Sequence, residues 1–250
     1  KKEYQKIRGK EISMIFQEPM SSLNPTMKCG DQISEIIINH EKISKKIAKK
    51  RSIELIKKVQ LKNPKLVFEK YPFQLSGGQQ QRIMIAIAIA CKPKLLIADE
   101  PTTSLDSLVR NDIISLIKSL QNEYSMSVLF ISHDLKLVSK FVDNLIVLKN
   151  GIIIEKGVSS QIFNSPKENY TKHLINSSPP KNNRPNRLIT STNKKNKIIS
   201  KEERADHHLK IYNKNPILKI NNLTVFYKNN QILKDISFDL YKGETLGIIG

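Results

Sequence analysis

The segment Leu95-Leu96-Ile97-Ala98-Asp99-Glu100 limits what this chain can fold into more than any other stretch of it. Its apolar residues run together without alternation, which suits a strand buried on both faces, and such strands belong to parallel sheets covered by helices. A parallel neighbour needs a crossover connection, so a helix and a second strand should follow. Leu108, Val109, Ile113, Leu116, Ile117 and Leu120 recur at helical spacing, and Met126 to Ile131 (MSVLFI) reads as a second buried strand. Residues 95–131 therefore predict a β-α-β crossover and an α/β fold class.

Other segments fit that class. Ile43 to Leu61 predicts an amphipathic helix, with Ile43, Ile47, Leu55, Ile56 and Val59 toward one side and lysines elsewhere. IMIAIAIA (83–90) alternates with period two, which argues for a strand. Its alternate residues are all apolar, however, and Gly77-Gly78 followed by QQQR suits a helix start, so a buried helix is expected. Asn144 to Glu155 predicts a hairpin turning at Asn150-Gly151, where a type I′ turn requires positive φ. Residues 1–178 carry this alternating texture. Residues 179–216 hold ten Lys/Arg, three acids and prolines at 179, 180 and 185 without sustained periodicity, the composition of a basic, disordered linker. The triplet Asp206-His207-His208 falls in that polar stretch and is read as solvated rather than metal-binding. From Pro216 strand patterns return as ILKINNLTVFY, QILKDISFDLYKG and ETLGIIG, so a second domain is expected over 217–250.

Composition narrows the class further. The chain is 39% hydrophobic and 26% charged, enough for a real core. Cys29 and Cys91 stand too far apart in sequence for a CxxC motif, and two cysteines make no disulfide scaffold. No apolar run approaches the ~20 residues of a membrane helix, and KKEYQKIRGK has no apolar segment behind it to make a secretory signal. These features read as a soluble chain from a reducing compartment. Forty-two Lys and Arg against 23 Asp and Glu give a net charge of +19. Nucleic acid or an anionic membrane would suit that charge. Coding bias explains it too, since Lys, Asn and Ile are abundant together. Aromatics are 6% and Trp is absent, so stacking platforms for single strands are not interleaved with the basic residues.

Three short motifs carry candidate chemistry. Asp99 and Glu100 stand at the C-terminal edge of a parallel strand, where α/β sheets bind ligands, and such acids suit Mg²⁺ beside phosphate. A plain strand-end turn before Pro101 is the alternative. Ser132-His133-Asp134 ends the second strand, so His133 should lie near Glu100. A lone histidine is more often structural, but two strands delivering Asp, Glu and His to one edge favour catalysis. Leu75-Ser76-Gly77-Gly78-Gln79 joins a capping serine to two glycines ahead of a helix, which makes either an anion site or a flexible turn.

Taken jointly, these motifs resemble the nucleotide-binding domain of ABC-type ATPases over nearly all of residues 1–178. LSGGQ at 75–79 precedes Asp99-Glu100 by 20 residues, TTSLD follows, His133 lies 33 residues after Glu100, and Gln17 stands upstream in MIFQEPMSSLNP. Signature, Walker B, D-loop, H-loop and Q-loop thus occur in the family's order. FQEPMSSLNP, YPFQLSGGQQQR, KPKLLIADEPTTSLD and SPKENYTKHL further resemble the ATPases of bacterial oligopeptide and dipeptide importers. The stretch LKINNLTVFYKNNQILKDISFDLYKGETLGIIG resembles the opening of a second such domain, and tandem fusion occurs in that importer group.

The resemblance implies a P-loop NTPase core with a helical subdomain, with ATP and Mg²⁺ as ligands. Asp99 would hold Mg²⁺ through water, Glu100 would be the general base, and His133 would contact the γ-phosphate. Gln17 would touch metal and water and relay nucleotide state to the membrane subunits. Ser76, Gly77, Gly78 and Gln79 would close over ATP on an opposing domain, and Asp106 would cross that interface. Tyr227, with Phe226 as the fallback, would stack on adenine, and Gly250 would be the first glycine of a phosphate loop. Implied partners are transmembrane permease subunits, a second ABC domain and, indirectly, a solute-binding protein, at the cytoplasmic face of the bacterial inner membrane. Nucleic acid is not expected.

No GxxxxGK[ST] motif occurs in the 250 residues, and its backbone N–H groups and Lys are what grip the β- and γ-phosphates. The expectation is an internal part of a longer tandem protein that does not hydrolyse ATP by itself. Residues 217–250 could supply strands to the first body, with Thr245 to Ile249 parallel to Leu95–Ala98 and Met126–Ile131. Two alternatives stay open: a soluble tandem ATPase acting on ribosomes or nucleic acid, and an inert remnant.

Overall fold

A computed structural model describes residues 2–103, 105–177, 200–228 and 230–248. The chain divides into two units, 1–171 and 172–250.

The first unit opens with α1 (Lys2–Ile7), β1 (Ile12–Ile15) and the short α2 (Pro19–Ser22). A helical layer follows: α3 (Cys29–Glu41), α4 (Lys45–Lys58) and α5 (Pro64–Glu69). Lys42 ends α3 in the left-handed region at φ 55°, and the Ser44 side chain caps α4 by accepting the Ile47 N–H. Ala48, Ser52, Leu55 and Ile56 make the buried face of α4 at helical spacing. The helix expected over 43–61 is therefore real but shorter. Leu55, Ile56 and Val59 point inward as expected, Ile43 is half-buried, and Ile47 is 52% exposed. Ala48 occupies the inward position, and one residue's rotation of about 100° turns Ile47 away from it. At Gly30 a Cβ would lie 2.0 Å from the Phe68 ring, so α3 and α5 approach this closely only because the side chain is missing.

Next come α6 (Gly77–Ala88), β2 (Leu95–Asp99), α7 (Ser107–Tyr124) and β3 (Ser127–Ile131). The three strands form one parallel sheet in the order β1-β2-β3, with Ile12 opposite Leu95 and Asp99 opposite Ile131. The expected β-α-β crossover is β2-α7-β3. The alternating IMIAIAIA stretch is helical because α6 is buried nearly all round, so apolar residues on every side are required of it. Ile15 and Leu96 of the sheet join Ile83 and Ile85 of α6 and Ile113 and Ile117 of α7 in one core.

β3 is not the buried strand that its sequence suggests. It is an outer strand of the sheet, and Leu129 and Ile131 are 50% and 44% exposed. An uninterrupted apolar run shows what a strand can bury, whereas its neighbours decide what it does bury.

The first unit continues with α8 (Leu135–Phe141), the antiparallel pair β4 (Asn144–Lys149) and β5 (Ile152–Val158), and α9 (Ser159–Asn164). Asn150 and Gly151 turn the hairpin at φ 51° and 77°, as a type I′ turn requires. α10 (Asn169–Asn176) runs over the division between the units.

The second unit contains α11 (Lys201–Tyr212) and an antiparallel hairpin of β6 (Leu218–Tyr227) and β7 (Asn230–Leu240). Two expectations are corrected here. Part of the supposed linker is helix: Ser200 accepts the Glu203 N–H while the Glu203 carboxylate accepts the Ser200 N–H, a capping box that starts α11. Residues 179–199 of that linker lie outside the described residues. β6 and β7 pair with each other in a sheet of their own. Residues 245–248 form no strand, and no described residue of 217–248 belongs to the β1-β2-β3 sheet; Ile249 lies outside the described residues. Among the described residues no helix is long and apolar enough to cross a membrane.

Candidate functional site

Because β1, β2 and β3 are parallel, their C-terminal ends share one edge, and the residues just beyond them meet there. Gln17 follows β1, Glu100 follows β2 and His133 follows β3. The Glu100 carboxylate is the point of convergence. Oε1 lies 2.7 Å from His133 Nδ1, while Oε2 accepts the Thr103 hydroxyl at 2.7 Å and Gln17 Nε2 at 3.2 Å. Donation from His133, supported by Thr103, holds the Glu100 carboxyl below its ordinary range, so it is ionised at neutral pH. With the carboxylate ionised, Nδ1 is the imidazole nitrogen that carries the donated proton.

Glu100 itself sits in the left-handed region at φ 44°, a conformation that costs a residue with a side chain about 1–2 kcal/mol. Its N–H donates to the Ile131 carbonyl at 2.9 Å, which fixes the turn to the end of β3. Strain held in place by surrounding bonds is common where a side chain must be aimed.

The loop carrying His133 is braced from α7. Asp134 N–H donates to Ser132 Oγ, Asp134 Oδ1 accepts the Leu137 N–H, and Arg110 Nη1 donates to Asp134 Oδ2 at 2.7 Å. Arg110 Nη2 reaches the Leu105 carbonyl at 3.3 Å. Neither Arg110 nor Thr103 is a predicted site residue. Thr103 stands three residues after Glu100 in the PTTSLD run, the one signal for it; nothing local marks Arg110, whose partner is 24 positions away.

Ser76 caps α6. Its Oγ accepts the Gln79 N–H, and Gln79 Oε1 accepts the Ser76 N–H. The SGGQ motif is thus the first turn of a 12-residue helix rather than a loose turn. A Cβ on Gly77 would lie 3.9 Å from Leu105 Cδ2, and one on Gly78 would lie 2.7 Å from Val109 Cγ1. Gly78 therefore lets α6 seat directly against the first turn of α7. Asp106 is the cap of α7, its Oδ1 accepting the Leu108 and Val109 N–H groups, so in this chain its carboxylate is engaged in its own helix.

Asp99 ends β2 and is half-buried. With Gln17, whose Oε1 is not used in the bond to Glu100, it offers hard oxygen donors at the sheet edge. Among the described residues no group of three His, Cys, Asp or Glu could hold a metal. A cation completed by phosphate oxygens and water, as Mg²⁺ prefers, fits this donor set; a fully protein-bound one does not. Tyr227 ends β6 in the second unit, 68% exposed, with Lys228 Nζ 5.9 Å from its ring centroid. Phe226 is exposed beside it. Gly250 lies outside the described residues.

An acid, an imidazole and an amide gathered at the carboxyl edge of a parallel sheet, in a chain whose α6 starts with two glycines, define an α/β protein of the phosphate-binding class. The chain belongs to the ABC transporter ATPase family: the model described as ABC transporter matches residues 1–103. It is 49% identical over 178 residues to the oligopeptide transport ATP-binding protein OppD of Bacillus subtilis (strain 168), covering 71% of this chain and 50% of that protein. The glutathione import ATP-binding protein GsiA of Escherichia coli (strain K12) is 36% identical across 98% of this chain and 41% of its own length. Among solved structures, the dimeric post-hydrolysis state of the ATP-binding cassette MJ0796 bound to ADP and Pi matches with a TM-score of 0.57. The identity there is 32%, over 63% of this chain and 67% of that one. The chain spans about half the length of the first of these curated relatives, or less.

Proposed function

We propose that this chain is the ATP-binding and ATP-hydrolysing part of a peptide-type ABC importer, acting at the cytoplasmic face of the bacterial inner membrane with permease subunits, a second ABC domain and, indirectly, a solute-binding protein. The observation that carries the reading is the convergence of Gln17, Thr103 and His133 on Glu100 at the sheet edge. The similarity to OppD supports the peptide class.

In this mechanism Glu100 is ionised and acceptor-only, so it orients an attacking water and takes its proton late, when the transferring phosphoryl group has made that water acidic. A carboxylate below its ordinary range is a weak base, which suits orientation over early abstraction. His133 holds one carboxylate oxygen through Nδ1–H, and its exposed ring would donate Nε2–H to a γ-phosphate oxygen with both ring nitrogens carrying a proton. Gln17 and Thr103 hold the other oxygen, so the carboxylate cannot swing. Asp99 and Gln17 would hold Mg²⁺, which neutralises phosphate charge when bound. The Ser76–Gln79 turn presents backbone N–H groups at a helix start, the geometry for a phosphate on an opposing domain. Tyr227, exposed at the end of β6, would stack on adenine. Alone, these 250 residues contain no GxxxxGK[ST] loop, and hydrolysis by them alone is not expected.

The test is made in cells carrying Glu100→Gln in the native gene, supplied with a labelled oligopeptide. Loss of a general base costs about 10²–10⁴-fold in rate, so uptake should fall to background while the protein level is unchanged. Uptake equal to the parent strain's would overturn the assignment of Glu100, and peptide uptake absent from the parent would overturn the substrate class.

A further inference from the structure

The basic residues of α4 (KKIAKKRSIELIKK) fall into two sets. Lys49, Arg51 and Lys58 are matched by acids on neighbouring elements: Glu69, Glu41 and Glu123 respectively. Lys45, Lys46, Lys50 and Lys57 have no ion pair among the described residues and are exposed, with Lys45 at the helix start off the line of the other three. At positions i, i+4 and i+11 Lys46, Lys50 and Lys57 line one stripe, opposite the buried Ala48, Ser52, Leu55 and Ile56. Glu54 is the only acid on α4. Ile47 stands out from the same side, Leu66 of α5 is exposed, and Lys42, Lys62 and Lys65 flank the helix ends.

We propose that the outward face of α4 is a contact surface for anionic lipid headgroups. Charge complementarity names the partner: unneutralised lysines in a row attract a surface of negative charge. The exposed Ile47 separates lipid from nucleic acid. An apolar side chain among lysines suits the boundary between headgroup and acyl chain, whereas single-stranded nucleic acid is held by aromatic platforms, and α4 has no aromatic residue. The surface is distinct from the Glu100 edge, so it stands or falls independently of the ATPase reading.

The test uses the full 250-residue chain and vesicles of phosphatidylcholine with or without phosphatidylglycerol, followed by flotation. Each lysine near an anionic surface is worth about fivefold in partitioning. The triple variant Lys46→Gln/Lys50→Gln/Lys57→Gln should therefore bind phosphatidylglycerol vesicles on the order of a hundredfold more weakly. A control triple, Lys219→Gln/Lys228→Gln/Lys234→Gln on the exposed hairpin of the second unit, removes the same charge elsewhere and should stay within about threefold of the parent. Glutamine is a good helix former, and matching thermal melts establish that the α4 variant is folded. Equal losses in both triples would reduce the effect to the net charge of +19 and overturn the proposal. So would absence of binding by the parent, or tighter capture of RNA than of vesicles by the same face.

Discussion

At Glu100 one residue carries a strained backbone, three side-chain partners and a lowered pKa together. A carboxyl held below its ordinary value in the folded state stabilises the fold at pH values above about 4.5, the value it has when unperturbed, and that contribution is lost as pH falls through the lowered folded value. Glu100→Gln keeps the shape and removes the titration. The stability difference between parent and variant should therefore be constant from neutral pH down to about 4.5 and shrink below it, as urea unfolding at pH 7 and pH 3 would read. A difference that stays constant to pH 3 would mean that the carboxylate is not held by His133 as described. Glu69 follows the same sign: Lys28 and Lys49 hold it down to about 2, but on an exposed surface that salt screens.

Between elements, the contact of α6 with α7 makes a sharper demand. In isolation, Gly78→Ala in the first turn of a helix should stabilise, by about 1 kcal/mol. Here the new Cβ would lie 2.7 Å from Val109 Cγ1, and a β-branched side chain in a helix cannot turn aside. Overpacking of this kind costs about 1–3 kcal/mol, so the single variant should be neutral to destabilised by about 2 kcal/mol. Val109→Ala in the same chain should restore the helix gain. A double-mutant cycle by urea unfolding reads this as a coupling of about 1 kcal/mol or more; simple additivity would sink the contact. Periodicity made α7 legible and turn chemistry the β4-β5 hairpin, whereas α6 was legible against its period of two, from its all-apolar alternates and its Gly77-Gly78 start. Gln17, Glu100 and His133 were legible as motif residues, and the parallel strand order is what brings them onto one carboxylate. Arg110 was not legible, since its partner is distant in sequence. The helix over 201–212 was missed because composition outweighed its Ser200-x-x-Glu203 start, and the exposure of β3 was missed because strand order is not written within a strand.

For the whole molecule, two forces compete at the open edge of the sheet. β3 pairs with β2, and among the described residues no strand covers its other side, where Leu129 and Ile131 are exposed. β4 and β5 also present exposed Ile146, Leu148, Ile152 and Ile153. Unpaired strand edges with apolar side chains template association with another chain. A net charge of +19 opposes that association through repulsion between copies. Repulsion is screened within about 10 Å at 0.1 M salt and about 3 Å at 1 M, while apolar contact is not weakened by salt. Raising salt should therefore increase self-association of the 250-residue chain, visible as a rising mass by light scattering. The same salt should release it from anionic vesicles. Leu129→Lys, which places a charge on the open strand, should suppress the rise in mass and leave vesicle binding intact. If Leu129→Lys associates as the parent does at 1 M salt, β3 is not the edge through which copies meet. The opposite salt dependences make the two surfaces separable in one titration, because the lysine stripe of α4 works by charge and the edge of β3 by its absence.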